Sequence, residues 1–163
     1  MIETNSSGDS VVWQTPDLLL GSHAFSYSSA QYDGLLHTHR EYSIVSCLEG
    51  GMIVRLGAHD VVLEPGDTFV VNPGVLHRCS FGIGGARSKG LTLLAAPPLL
   101  HTLCASMDLH ADGSETRCLF AEKLRDSELI LSATKIVDEC SAMRRGCDLI
   151  AELLAKQMLV HLL

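Results

Sequence analysis

A chain of 163 residues, 47% hydrophobic and 19% charged, has room for one hydrophobic core but not for two. Its formal net charge is −7, with 12 acids against 6 bases over residues 1–121 and 7 against 6 over 122–163, so no basic patch is available to neutralise phosphates. That balance argues against nucleic-acid binding by this chain itself. No apolar run reaches the roughly 20 residues of a membrane helix, and the polar start Met1–Ser10 lacks the basic end and apolar stretch of a secretion signal. The six cysteines, Cys47, Cys79, Cys104, Cys118, Cys140 and Cys147, form no C-x-x-C pair and read as reduced thiols, so the expected location is the cytoplasm.

Residues 1–10 are rich in Ser, Asn and Gly and read as a mobile N-terminal arm. Apolar positions over 11–20, split by Pro16, predict an edge strand or two. Residues 23–32, with Phe25, Tyr27 and Tyr32, predict a strand running into a loop at Asp33-Gly34. From Leu36 onward the strand signals become dense. An apolar run over 42–48 ends at Glu49-Gly50-Gly51, and strands over 52–56 and 59–63 flank Gly57-Ala58, a two-residue hairpin loop with Gly first. Glu64-Pro65-Gly66-Asp67 turns again, with Asp67 read as a turn residue; a strand over 68–72 follows, then the Pro73-Gly74 turn. A strand over 76–81, a glycine-rich loop over 82–90 and a strand over 91–96 close the β region. Short strands separated by turn signals predict an antiparallel sandwich or barrel.

Pro97-Pro98 marks a change of character, with a short helix predicted over 99–106 and a polar loop over 108–116. Leu129, Ile130, Ala133, Ile136, Val137 and Cys140 then recur at three-and-four spacing, predicting an amphipathic helix over 126–143 that Arg144-Arg145-Gly146 ends. A second helix is predicted over 147–163, with Leu154, Met158 and Leu162 expected partly against a partner chain. It stops at Leu163 without a cap, as a segment that continues into something longer would.

The chemistry sits between Leu36 and Cys79. His37 and His39 are two apart, so on a strand both point to one face, and His77 returns behind Pro73-Gly74. Neutral imidazoles suit zinc, nickel, copper and iron, and three of them leave coordination positions open. By strand parity Glu41 and Ser43 share that face, and Glu41 is the candidate fourth ligand. The alternative is a set of polar residues at a barrel mouth, bonded to water or to an organic ligand. Tyr42, of opposite parity, is expected to pack outside, whereas Cys47 and Cys79 are expected to face inward.

These residues resemble the motifs of cupins. His37-Thr38-His39 and Gly50 fit the first motif, although its acid position is Ser43 and Glu41 comes two residues early. Gly66 and Pro73-Gly74-Val75-Leu76-His77 resemble the second motif, with Phe81 where an Asn is expected. More narrowly, the chain is similar to the N-terminal effector-binding domain of AraC-type transcriptional regulators. The adjacent Pro73-Gly74, the turn at Glu64–Asp67, and the order of arm, barrel and helical pair carry that resemblance over nearly the whole chain.

The resemblance implies a mainly β fold, a cupin-like antiparallel jelly-roll barrel followed by a C-terminal helical pair. The segments expected are an arm over 1–10, a barrel over 11–98, and a helical dimerisation and linker region over 99–163. That region would lead to a helix-turn-helix domain missing from this chain. The expected function is a non-enzymatic one, sensing a small effector and dimerising through the C-terminal helices, with DNA bound only through the missing domain and no membrane partner. Effector contacts are expected from His37, His39, Glu41, Ser43 and His77, with Trp13 and Tyr27 as stacking or lid groups; His37, His39, His77 and Glu41 are the candidate metal ligands. No cofactor is required by this reading, and a divalent zinc, nickel or iron is the option it leaves open. The competing reading is a stand-alone metal-dependent cupin enzyme, a dioxygenase or isomerase.

Overall fold

The computed structural model describes residues 3–4, 9–15, 17–25, 32–82, 87–107, 123–142 and 144–163. Among the described residues, eleven strands and three helices follow in chain order. The strands are β1 (Glu3–Thr4), β2 (Asp9–Gln14), β3 (Leu18–Phe25), β4 (Tyr32–Asp33), β5 (Tyr42–Glu49), β6 (Met52–Leu56), β7 (His59–Leu63), β8 (Thr68–Val71), β9 (His77–Phe81), β10 (Ser88–Ala95) and β11 (Lys123–Leu124). The helices are α1 (Pro97–Ser106), α2 (Ser127–Ala142) and α3 (Cys147–Leu162). One sheet runs β1-β2-β3-β10-β5-β8-β11 and the other β4-β9-β6-β7, antiparallel throughout.

Alternation along the central strands divides the interior into two cores. Val45 and Cys47 of β5 and Phe69 and Val71 of β8 meet Met52, Val54, Leu63 and Phe81 of the smaller sheet inside the barrel. The intervening residues Tyr42 and Ile44, Val70, and Leu91, Leu93 and Ala95 of β10 face the other way, against Leu129, Ile136, Met158 and Leu159 of α2 and α3. A strand covered on both faces must be apolar at nearly every position, which is why 42–48 reads as a run rather than an alternation. Tyr42 is accordingly outside the barrel but not outside the protein, at 5% exposure beneath the helices.

Asp67 does more than turn the chain. Its carboxylate accepts the Glu64 N–H at 2.9 Å, the Arg125 Nε–H at 2.9 Å and the Lys123 ammonium at 3.3 Å, although the residue is 1% exposed. Burial pushes the carboxyl up, and the Glu64 N–H with the two cations more than offsets it, so its pKa lies below the usual carboxylate value. The β7–β8 turn is thereby fastened to β11 and to the entry of α2. Asp126 caps that helix, with Oδ1 accepting the N–H of Glu128 at 2.8 Å and of Leu129 at 3.1 Å.

Several expectations need correction. Pro97 and Pro98 open α1 rather than precede it, because proline at the first helical positions lacks only an N–H that has no partner there. Strand β10 begins at Ser88, inside the stretch expected as loop. Gly90 lies in it because a Cβ would stand 2.8 Å from the Ser46 carbonyl oxygen and 3.0 Å from Met52 Sδ. Met158 is fully buried within the chain and so is not available to a partner, while Leu154 and Leu162 pack on the same core and are only partly buried. The apolar face left exposed holds Leu149, Ile150 and Leu153 with Val160. Within the segment read as an arm, Glu3–Thr4 pairs with Ser10 and Val11. The loop expected over 108–116 lies outside the described residues.

Candidate functional site

The segment between β4 and β5 carries two of the three histidines, and backbone contacts hold it against the other sheet. Gly34 N–H donates to the Cys79 carbonyl at 2.9 Å, and a Cβ at Gly34 would stand 2.6 Å from that oxygen. His37 and His77 exchange both main-chain hydrogen bonds at 2.9 Å each. The Pro73-Gly74 turn then docks on the same segment, Gly74 N–H donating to the His39 carbonyl at 2.9 Å, with Gly74 at φ 76°.

These contacts bring the three imidazoles together. Ring centroids lie 4.4 Å apart for His37 and His77, 4.9 Å for His39 and His77, and 5.8 Å for His37 and His39. One ring nitrogen from each lies within 4.8 Å of the others. The Nδ1 atoms are engaged elsewhere: His37 with the Leu35 carbonyl at 2.8 Å, His39 with that of Glu41 at 2.8 Å, and His77 with that of Val75 at 2.9 Å. A carbonyl only accepts, so each Nδ1 carries the hydrogen and each neutral ring presents an Nε2 lone pair. Burial holds the His77 pKa below the usual histidine value; the Val75 carbonyl works against this and the neighbouring His37 and His39 reinforce it.

His39 Nε2 is buried without a hydrogen-bond partner. Leaving such an atom unsatisfied costs about 1–3 kcal/mol, and a divalent ion shared by three Nε2 atoms would remove that cost. Backbone carbonyls behind all three rings fix tautomer and orientation, as is usual for metal-bound histidine. The donor set therefore fits zinc, nickel or iron, and the three histidines line a cavity of about 400 Å³. Besides the triad its walls include Ser43 and Thr92, and the apolar Leu35, Phe81 and Leu94 with the Cys79 thiol. Burial pushes that thiol up to about 12, so it stays protonated.

The other candidates fall differently. Ser43 lines the cavity, but Glu41 does not. Residues 40–41 form a bend and β5 begins only at Tyr42, so strand parity does not extend back to Glu41. Its carboxylate Oε2 stands 4.0 Å from His39 Nδ1, behind the ring, with the side chain 42% exposed. What Glu41 gives the triad is its main-chain carbonyl. Trp13 lies on β2, paired with Leu20. Tyr27 lies outside the described residues. Thr92 and Leu94 were not anticipated, although the alternation of β10 against Leu91 and Leu93 would have pointed to them.

Residues 22–159 match the family described as the AraC-like ligand binding domain. Among solved structures, the chain is similar to KdgF from a Halomonas species, at 22% identity over 58% of this chain and 86% of that one, with a TM-score of 0.46. It is also similar to an RmlC-like cupin from Shewanella frigidimarina, at 22% identity over 58% and 82%, TM-score 0.47. A cupin superfamily protein from Desulfitobacterium hafniense is similar at 15% identity over 58% and 84%, TM-score 0.47. Likeness at this level says nothing of substrate or activity. No curated protein matches the chain. The expected architecture, a mainly β cupin-like antiparallel barrel followed by a C-terminal helical pair, is the one observed. With 22–159 matched, the chain belongs to the family of AraC-like ligand binding domains.

Proposed function

We infer that the chain is the ligand-sensing and dimerisation module of an AraC-type transcriptional regulator. A small effector enters the cavity beside His37, His39, Ser43 and His77, and its binding biases the helical pair and, through it, a DNA-binding domain outside this chain. One observation carries the coupling. On β5, Ser43 faces the cavity while Tyr42 and Ile44 face the helices, and on β10 Thr92 and Leu94 alternate with Leu91 and Leu93 in the same way. An effector pressing on one face of these two strands thus acts on the core under α2 and α3 through the other. It shifts the equilibrium only by as much as it binds the two arrangements differently.

Three of the candidate metal ligands, His37, His39 and His77, hold a divalent transition metal in this reading. When bound, the ion supplies a Lewis-acidic anchor for an oxygen or nitrogen of the effector. Ser43 and Thr92 orient the ligand, and Phe81 and Leu94 exclude water from its body. Dimerisation uses the exposed face of α3, where Leu149 and Leu153 are each 60% exposed and one helical turn apart. The five described cysteines are free, which supports a reducing, cytoplasmic setting.

A second reading is favoured by the same triad: three histidines with open positions are also the donor set of a catalytic metal centre. One experiment separates the two. The metal-loaded chain is melted against a panel of small metabolites, and any compound that raises the midpoint is recovered and analysed. Sensing predicts stabilisation that Ser43→Leu removes, with the compound returned unchanged. Conversion of the compound to a product would establish the enzyme instead.

A further inference from the structure

We propose, resting on the reading of the triad as a metal site, that the effector of this pocket is a small carboxylate with an apolar body, taken up together with the divalent ion. The argument is one of charge. His37, His39 and His77 are neutral donors, and each ring leans on a main-chain carbonyl rather than on a carboxylate. Ser43, 2% exposed, contributes a neutral hydroxyl to the same wall. No Asp or Glu lines the cavity among the described residues. Glu41, behind the His39 ring and 42% exposed, is screened by water and compensates little.

A doubly charged ion held by three neutral rings keeps its charge inside a partly enclosed cavity, where an uncompensated charge is costly. An entering anion removes that cost and a neutral ligand of the same shape does not. The described wall also offers no Arg or Lys, so without the ion a carboxylate has no cationic partner there. Leu35, Phe81 and Leu94 suit an apolar body, and the Ser43 hydroxyl is a donor for the second carboxylate oxygen. Uptake of ion and carboxylate is therefore mutual, each tightening the other by the same factor.

The test uses the purified chain and Co2+, whose visible absorption reports its surroundings, with acetate, butyrate and benzoate as probes and benzamide as the neutral control. The expected result is a Co2+ spectrum that His37→Ala/His77→Ala loses. Benzoate should alter that spectrum and tighten Co2+ binding by about tenfold or more, and benzamide should do neither. Ser43→Glu, which supplies the missing negative charge, should bind Co2+ at least as tightly and lose the response to benzoate. If Co2+ binds through the histidines but all three carboxylates are silent, the proposal falls and the metal site stands. If Co2+ fails to bind, or binds the double variant equally, the metal site falls and the proposal with it. Benzamide acting as well as benzoate, or benzoate binding the metal-free chain, would overturn the charge argument.

Discussion

His37 and His77 exchange both main-chain hydrogen bonds at 2.9 Å, and this single paired bridge sets their imidazole centroids 4.4 Å apart. The bridge sits outside the regular strand pairing, so the approach of the two rings depends on the short segment that carries His37.

Gly34 controls that approach. A Cβ there would meet the Cys79 carbonyl oxygen at 2.6 Å, and backbone cannot yield as a flexible side chain can. Gly34→Ala is expected to push the segment off β9, costing about 1–3 kcal/mol in stability. Metal affinity should fall more than the stability loss alone accounts for. Calorimetric titration with Zn2+ alongside urea unfolding checks this; unchanged affinity would remove Gly34 from the positioning of the triad.

The two faces of β10 should respond differently to truncation. Leu93 is fully buried in the core beneath the helices, so Leu93→Ala should cost about 2–5 kcal/mol. Leu94 lines the cavity, and Leu94→Ala should cost less than half as much while changing which probes bind. Urea melts of both variants decide, and equal losses would argue against the division of the strand between two cores.

Much of this was legible in the sequence where each turn carries its own chemistry. Strands β5 to β9 were read to within about a residue because Gly50, Gly57, Gly66 and Gly74 all adopt positive φ at the breaks between them. The three histidines were legible from spacing alone. Glu41 was not, since parity is a property of strands and a bend precedes β5. Gly90 reads as a loop residue because a glycine that lets two backbones approach looks the same in sequence as one that turns the chain. The full burial of Met158 is not legible for a related reason: the helix is apolar over much of its circumference, so no pattern separates the stripe under Met158 from the stripe at Leu149 and Leu153.

The Asp67 carboxylate should make stability depend on acid. Its folded pKa lies below that of the unfolded chain, so its contribution is fully present above the ordinary Asp value of about 3.9 and is lost as pH falls through the folded pKa. Asp67→Asn should therefore destabilise by about 1–3 kcal/mol at pH 7, and the gap to the wild type should narrow as the pH is lowered past about 3.9. Urea midpoints for both proteins at neutral and acid pH test the sign. A gap that widens in acid would contradict it.

The exposed stripe on α3 predicts self-association. Sedimentation of the wild type should give a dimer, and Leu149→Glu/Leu153→Glu should give a monomer with little loss of stability, since both side chains face outward. A wild type that stays monomeric at high concentration would remove this stripe as the dimer contact.

The central claim is that three Nε2 atoms of the ligand-sensing barrel converge on one divalent ion. Elemental analysis of the purified chain after zinc loading and desalting tests it most directly. About one zinc per chain is expected for the wild type, and close to none for His37→Ala/His77→Ala. Equal zinc in the two proteins would contradict the account.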